Sequence, residues 1–119
     1  MREAGRPAAL GHVELNLGKE GRARVSYSTY PLARGRGLAS RAVDLACAFA
    51  FEELGMARVE LLAEADNVAS RAVAAKAGFT TEGTLRRHGE REGERYDMVL
   101  HARLSSDPPP WFHPAPHDR

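Results

Sequence analysis

The sequence predicts an α+β domain, a mixed α/β sheet that is mostly antiparallel and carries two helices. Three observations predict this class. Segments with alternating polar and apolar residues occupy both ends of the chain, two segments between them have helical periodicity, and a short apolar run separates those two helices. Because a strand, a helix and a strand in succession form a right-handed crossover, we expect one parallel strand pair inside the antiparallel sheet.

The first two elements form a predicted β-hairpin. His12 to Leu17 alternates in polarity, Gly18 to Gly21 has the composition of a tight turn, and Arg22 to Thr29 alternates again. The apolar faces are formed by Val13, Leu15 and Leu17 in the first strand and by Ala23, Val25 and Tyr27 in the second. Pro31 has no backbone N–H to donate and helps to end the second strand.

A helix, a strand and a second helix come next. Apolar residues recur at helical spacing from Arg36 to about Leu54, and Gly55 ends this helix. Arg58 to Ala63 is an apolar run of strand length. The pair Asp66-Asn67 offers a cap to the second helix, and Gly78 is the expected left-handed residue at its end.

Two strands and a tail complete the chain. Phe79 to about His88 and Arg95 to Leu104 are predicted strands, joined by the turn GEREG. One face of the last strand carries Tyr96, Met98, Leu100 and Ala102, a pattern typical of core packing. We assign residues 1–104 to the domain. Residues 105–119 are Pro-rich without periodicity, and we expect a disordered or loosely docked tail there.

Composition limits the function. The chain has 119 residues, 43% of them hydrophobic and 28% charged, which suits one globular domain. A net charge of +1 does not favour nucleic-acid binding, and no apolar segment is long enough to cross a membrane. The only cysteine, Cys47, excludes an internal disulfide and is predicted to be a buried residue of the first helix. The histidines show no metal-ligand spacing. We therefore expect a soluble cytoplasmic protein without a metal.

The segment YPLARGRGLAS, residues 30–40, places cations where a helix repels them. The start of a helix carries a partial positive charge, yet Arg34 and Arg36 lie there. Free backbone N–H groups at such a turn bind anions, and Gly35 and Gly37 let a ligand approach the backbone closely. Either this turn binds a phosphate group or the arginines are solvated surface residues. The same helix ends on two glutamates, again against its dipole, and such exceptions favour a functional site.

The same segment carries a resemblance to a known family. RGRGLA fits the R/Q-x-x-G-x-G/A signature of the GNAT superfamily of N-acetyltransferases, and the motifs AFxELG, NxxS, KxGF and EG follow in order. Between about Gly11 and Leu104 the chain is similar to the RimJ/RimL-like branch. The resemblance implies a GNAT-like fold. It also implies acetyl transfer from acetyl-CoA to a primary amine, either a protein N-terminus or a small molecule, by direct attack in a ternary complex.

The resemblance further implies where acetyl-CoA binds. Its pyrophosphate would lie on backbone N–H groups of residues 34–39. Its pantetheine arm would pair with the backbone after Tyr27 as an additional strand, where a backbone N–H binds the thioester carbonyl oxygen. Asn67 and Ser70 match positions that face the pantetheine and the thiol. The implied binding residues are Thr29, Tyr30, Arg34, Gly35, Arg36, Gly37, Leu38, Ala39, Asn67 and Ser70.

The resemblance also nominates catalytic residues. Many relatives carry a tyrosine that acts as the general acid four residues before the glycine of KxGF. This chain has Ala74 at that position. In the RimL-like branch the serine of NxxS takes that task, which makes Ser70 the predicted acid. The structural alternative for Ser70 is a helix-start hydroxyl bonded to nearby backbone. Glu90 is the predicted base. The other candidates for the base are His88, Glu82 and Asp97.

The resemblance begins part-way through the family's fold. Members start with a strand, two helices and a further strand, which form one wall of the acceptor groove, and this N-terminal portion is the part that the chain is expected to lack. Three hypotheses follow: a fragment of a longer enzyme, a homo-oligomer whose copies cover each other's sheet edge, or a non-catalytic acyl-CoA-binding or protein-interaction module. We favour the acetyltransferase, with acetyl-CoA, an amine acceptor and a second copy of the chain as partners.

Overall fold

The structure is a computed structural model that describes residues 11–29 and 37–111, and of Thr29 it describes only the backbone. Within these residues the elements follow one another in the predicted order. They are β1 (Gly11–Leu17), β2 (Arg22–Thr29), α1 (Leu38–Glu52), β3 (Arg58–Glu64), α2 (Val68–Lys76), β4 (Thr80–Arg91) and β5 (Glu94–Leu104). The α+β class predicted from the sequence is therefore confirmed.

The strands form one mixed sheet in the order β1-β2-β3-β5-β4. β2 and β3 run parallel, and every other neighbouring pair is antiparallel. The parallel pair predicted from the strand-helix-strand succession is present. β1 and β4 lie at the two ends of the strand order in the described sheet.

The two strands of the parallel pair diverge along their length. β1 pairs with residues 23–29 of β2, and β5 pairs with all of β3. In contrast, β2 and β3 pair with each other only over residues 22–24 and 58–60. Beyond these residues, the facing backbone edges of β2 and β3 have no ladder partner in the described part of the chain. A cleft therefore opens between the carboxyl ends of β2 and β3.

The core lies between one face of the sheet and both helices. The sheet contributes Ala23, Val25, Val59, Leu61 and Ala63, and the helices contribute Val43, Cys47, Ala50, Ala74 and Ala77. Small alanine side chains predominate in this set, so the helices lie close to the strands. Cys47 is completely buried, as predicted, and burial raises the pKa of its thiol to about 11.

In β5, the face that packs against the helices is the opposite of the one that the sequence pattern predicted. Tyr96 to Ala102 do share a face at every second position, but residues 98–104 of that face pair with the half-buried and polar side of β3. The helix-facing side of β5 carries Val99, His101 and Arg103, all buried. His101 Nδ1 lies 3.2 Å from the Leu61 carbonyl oxygen.

Arg103 joins the two helices. Its Nη1 donates to Asp44 Oδ1 of α1 at 2.8 Å and to the Ala77 carbonyl oxygen, at the end of α2, at 3.0 Å. Sequence periodicity predicts that His101 and Arg103 are exposed, because both are polar. Their hydrogen-bond partners are distant in the sequence and are brought close only by folding. Burial of such groups is tolerated when they are hydrogen-bonded.

The β4–β5 hairpin is longer than predicted and irregular. β4 continues to Arg91, so Glu90 lies in a strand opposite Arg95, and Glu92-Gly93 forms the turn. The pairing register shifts between Leu85 and Gly89. Gly89 is required there, because a Cβ at this position would overlap the Tyr96 ring.

Candidate functional site

Four chain segments meet at one end of the sheet. They are the carboxyl ends of β2 and β3 and the first turns of α1 and α2, which follow these strands. In open sheets with parallel strands, ligands bind in the crevice beyond the carboxyl ends of neighbouring strands. Here the divergence of β2 and β3 makes that crevice.

The start of α1 has no side-chain cap within the described residues. Its N-cap is Gly37, whose φ of 71° is in the left-handed region that favours glycine and which has no side chain to bond to the first turn. The Ser40 hydroxyl donates to the Gly37 carbonyl oxygen at 3.1 Å. Leu38 and Ala39 begin the helix, and their N–H groups have no intrahelical partner. This helix end suits an anion.

Two cations lie beside this helix start. Arg41 is an exposed residue of the first turn of α1, and that turn has no acidic residue. Lys76, the last residue of α2, places its Nζ 3.9 Å from the point where a Cβ on Gly37 would stand. Lys76 was missed from the sequence because it fits the last turn of α2 electrostatically, and nothing local shows that α2 ends beside the start of α1. Together these charges create a positive field at Gly37.

Part of the predicted binding segment lies outside the described residues. The residues of this segment that are not described are Tyr30, Arg34, Gly35 and Arg36. Residues 1–10 of the predicted domain and residues 112–119 of the predicted tail are also outside the described part. The backbone of Thr29 is described at the end of β2. The roles assigned to these residues stay predictions.

The start of α2 differs because its own side chains complete it. Asn67 Oδ1 accepts a hydrogen bond from the Ser70 backbone N–H at 3.0 Å, so the predicted cap is confirmed. The Ser70 hydroxyl oxygen accepts from the Tyr27 hydroxyl at 3.1 Å. Within the described residues the Tyr27 hydroxyl is the hydrogen-bond partner of the Ser70 hydroxyl. The alternative prediction, a bond from the Ser70 hydroxyl to nearby backbone, is not observed among these residues. Sequence alternation placed Tyr27 on the apolar face of β2 and gave no sign of this contact.

The candidate bases have structural partners. Glu90 Oε2 accepts from the Gly93 backbone N–H at 2.9 Å and stabilises the hairpin turn. Asp97 Oδ1 accepts from the Arg87 N–H at 2.7 Å. Glu82 accepts two hydrogen bonds from Arg58, at 2.8 and 3.0 Å, which lower the pKa of its carboxyl. The bidentate ion pair gives Glu82 a structural role. His88 is exposed.

A cavity of about 500 Å³ lies between the hairpin β1–β2 and the first half of α1. Its lining includes Tyr27 from β2 and apolar residues of α1 such as Leu38 and Leu45. His12 Nδ1 and Ser28 Oγ, 2.9 Å apart, and Arg41 supply the polar groups. The cavity therefore adjoins both the start of α1 and the end of β2.

Comparison with known proteins assigns the family. The sequence matches the acetyltransferase (GNAT) domain over residues 1–80. It is 33% identical over 84 residues to the uncharacterized N-acetyltransferase YoaA of Bacillus subtilis (strain 168), and those residues are 71% of this chain and 48% of YoaA. The chain belongs to the GNAT acetyltransferase family.

Solved structures place it more closely within that class. A probable acetyltransferase is 32% identical with a TM-score of 0.74, over 80% of this chain and 55% of that chain. RimJ of Mycobacterium smegmatis, solved in complex with CoA-disulfide, is 28% identical with a TM-score of 0.74, over 80% of this chain and 47% of RimJ. The neighbours thus include the RimJ type of acetyltransferase, and the chain spans about half the length of these relatives.

Two further features concern other classes of function. Neither helix of the described residues is both long and apolar enough to cross a membrane. In residues 11–29 and 37–111, no group of three or more His, Cys, Asp or Glu side chains could hold a metal ion.

Proposed function

We propose that this chain binds acetyl-CoA at the start of α1 and in the cleft between β2 and β3, and that it transfers the acetyl group to a primary amine. One observation carries the proposal: a helix start without a side-chain cap, flanked by Arg41 and Lys76, adjoins the point where a parallel strand pair diverges. Membership of the GNAT family supports it.

The binding residues suit the chemistry of the ligand. The N–H groups of Leu38 and Ala39 would donate to the pyrophosphate, with Gly37 leaving room for its approach. Lys76 would add a counter-charge. The edge of β2 that faces the cleft would pair with the amide groups of the pantetheine arm as far as Thr29, as in strand addition. The complex of RimJ with CoA-disulfide supports this assignment.

Acetyl-CoA supplies an acyl group that a thioester has already activated. The chain would supply a backbone N–H at the end of β2 for the carbonyl oxygen, near Thr29. Ser70, opposite this strand, would donate a proton to the departing sulfur, and Glu90 would accept the proton of the attacking amine. A covalent enzyme intermediate is not part of this scheme. Cys47 does not qualify as a nucleophile, since its thiol is completely buried and burial raises its pKa to about 11.

The acceptor would be a protein N-terminus or a small-molecule amine, brought beside the end of β2. The cavity between β1, β2 and α1 adjoins that point and is mainly apolar. We also propose self-association, because β1 is the edge strand of the described sheet and Leu17 on it is 57% exposed. Light scattering coupled to size exclusion tests this, and a stable monomer at high concentration would contradict it.

The proposal is tested by binding and by turnover. Calorimetric titration should show that acetyl-CoA binds the chain, with weaker binding at high salt because phosphates are held by cations. Mass spectrometry then follows acetylation of peptides with free α-amines and of polyamines. Substitution of Glu90→Gln should slow transfer without weakening acetyl-CoA binding. Binding without transfer to any amine would favour the acyl-CoA-binding module, and absence of binding would refute the assignment.

A further inference from the structure

Tyr27 and Ser70 connect the two sides of the cleft. Tyr27 lies near the end of β2, Ser70 lies in the first turn of α2, and 43 positions separate them in the sequence. The Tyr27 hydroxyl donates to Ser70 Oγ at 3.1 Å in a partly buried setting. It is a side-chain bond between β2 and the helix that follows β3, and the backbone ladder between β2 and β3 has ended before Tyr27.

The hydrogen bonds of Ser70 show which of its groups are already used. The Ser70 backbone N–H is used by the Asn67 cap at 3.0 Å. A serine hydroxyl has one proton to donate and two lone pairs that accept. Because Ser70 Oγ accepts from Tyr27, its proton is free for a third group, and no described residue accepts it. The bond therefore leaves the Ser70 hydroxyl proton available for donation to a third group.

Serine alone is a poor acid for a departing thiolate. An aliphatic alcohol holds its proton far more tightly than a thiol does, whereas a phenol is close to a thiol in acidity. We propose that Tyr27 supplies, through Ser70, the proton that the sulfur of CoA takes up when acetyl transfer occurs. The inference rests on the proposed function. Tyr27 acts through Ser70 in this scheme and is therefore a positioning residue.

The protons and electrons balance in this relay. The amine nitrogen forms a bond to the acetyl carbon, the carbon–sulfur bond breaks, and its electron pair goes to sulfur. Ser70 gives its proton to sulfur and takes the proton of Tyr27, so Ser70 stays neutral. The proton that the amine nitrogen loses goes to the proposed base Glu90 and from there to solvent. Tyr27 lines the open cavity of about 500 Å³, and water there restores its proton. Nothing is oxidised or reduced.

Kinetics test the relay with four proteins: the unmodified chain, Ser70→Ala, Tyr27→Phe and the double variant. Release of CoA thiol from acetyl-CoA is followed with an amine panel and with water as acceptor. We expect kcat to fall about a hundredfold in Ser70→Ala, at the lower end of the range for general acid–base catalysis. In Tyr27→Phe the fall should be smaller, about tenfold, because Ser70 keeps its own proton. The double variant should match Ser70→Ala, because Tyr27 acts only through it. Tyr96→Phe is the matched control and should leave kcat unchanged.

Replacement of Tyr27 by 3-fluorotyrosine separates proton supply from packing. The fluorine makes the phenol more acidic and hardly changes its shape. We expect the alkaline limb of the pH–rate profile to move to lower pH, and a purely structural role would not move it. Thermal unfolding checks that each variant folds.

A binding measurement provides a readout that does not depend on turnover. Affinities for CoA and for desulfo-CoA, which lacks the sulfur, are compared between pH 6 and about 9.5, across the ionisation of a thiol. The unmodified chain should prefer CoA increasingly as the thiolate forms, by about tenfold, since Ser70 donates a charge-assisted hydrogen bond to it. Ser70→Ala should lose this preference for CoA. Tyr27→Phe should keep a preference that is smaller by a factor of about three.

The outcomes distinguish the relay from the proposed function. Loss of activity in Ser70→Ala with an unchanged Tyr27→Phe would overturn the relay and leave the acetyltransferase intact. An unchanged Ser70→Ala would overturn the acid role of Ser70 and the relay with it. No thiol release with any acceptor, together with no preference for CoA over desulfo-CoA, would overturn both.

Discussion

The two helix starts at the site solve the same physical problem in opposite ways. Both helices begin with N–H groups that have no partner in the helix. At α2 the chain satisfies one of these itself, through Asn67 and the Ser70 N–H. At α1 the N-cap is Gly37, which has no side chain to offer. The difference supports the proposal that the start of α1 binds an external anion.

Charge follows the same division. α2 ends with Lys76, which suits the negative end of its dipole. α1 has no acidic residue in its first turn and no basic residue in its last, and it ends at Glu52 and Glu53. The helix that obeys local rules is the structural one, whereas the helix that breaks them at both ends contributes the candidate binding site.

The largest effect is expected from a carboxylate at the open helix start. Gly37→Asp should weaken acetyl-CoA binding about a thousandfold, because a like charge replaces two charge-assisted hydrogen bonds of roughly 2 kcal/mol each. Titration calorimetry measures this. Gly55→Asp is the matched control, since φ is 69° at Gly55 and 71° at Gly37, and nothing lies within 4 Å of a Cβ on Gly55. Equal losses of affinity in both variants would show that backbone strain, and not the anion site, causes the effect.

Cys47 tests whether the middle of α1, between its two ends, is an ordinary buried part of the core. Burial raises the pKa of this thiol from 9.0 to about 11. The folded protein therefore keeps a proton that the unfolded chain loses from about pH 9, and stability falls as pH rises. Above the folded-state pKa the loss should approach about 3 kcal/mol, because a tenfold difference in acidity between the two states corresponds to about 1.4 kcal/mol. Urea unfolding of the unmodified chain and of Cys47→Ala measures the difference, and parallel pH profiles of the two would contradict it.

Lys76 tests whether the end of α2 contributes to the site at the start of α1. Lys76→Gln should weaken acetyl-CoA binding about tenfold and reduce its salt dependence, because one cation within reach of a phosphate is removed. Arg71→Gln on the same helix is the control and should leave affinity within about twofold. If both variants bind equally well, Lys76 is only the dipole partner of its own helix.

The order of elements was predictable because it depends on local periodicity and on caps. Alternation in β1 and β2, the helical spacing of α1 and the Asn67 cap are all read within a few residues. The buried face of β5 was not predictable, because His101 and Arg103 find their partners in β3, α1 and α2. Polarity alone makes such residues look exposed.

The candidate site divides in the same way. Gly37, Leu38 and Ala39 follow from a motif in one short segment, and the structure places them at the open start of α1. Tyr27 and Lys76 could not be found from the sequence, since each meets its neighbour across the fold. Local sequence patterns identify a helix start. Only tertiary contacts identify the residues from other elements that lie beside it.

The smallest effect is expected at the capped helix. Asn67→Ala removes the side-chain acceptor of the Ser70 N–H and should lower the free energy of unfolding by about 1 kcal/mol. Acetyl-CoA affinity should fall no more than about threefold, because this cap serves the helix and positions Ser70 without contacting phosphate. Thermal unfolding and calorimetric titration measure the two quantities, with Asn67→Asp as a control that keeps an acceptor. A large loss of affinity with unchanged stability would reverse the contrast between the helices, since α2 would then also offer its start to the ligand.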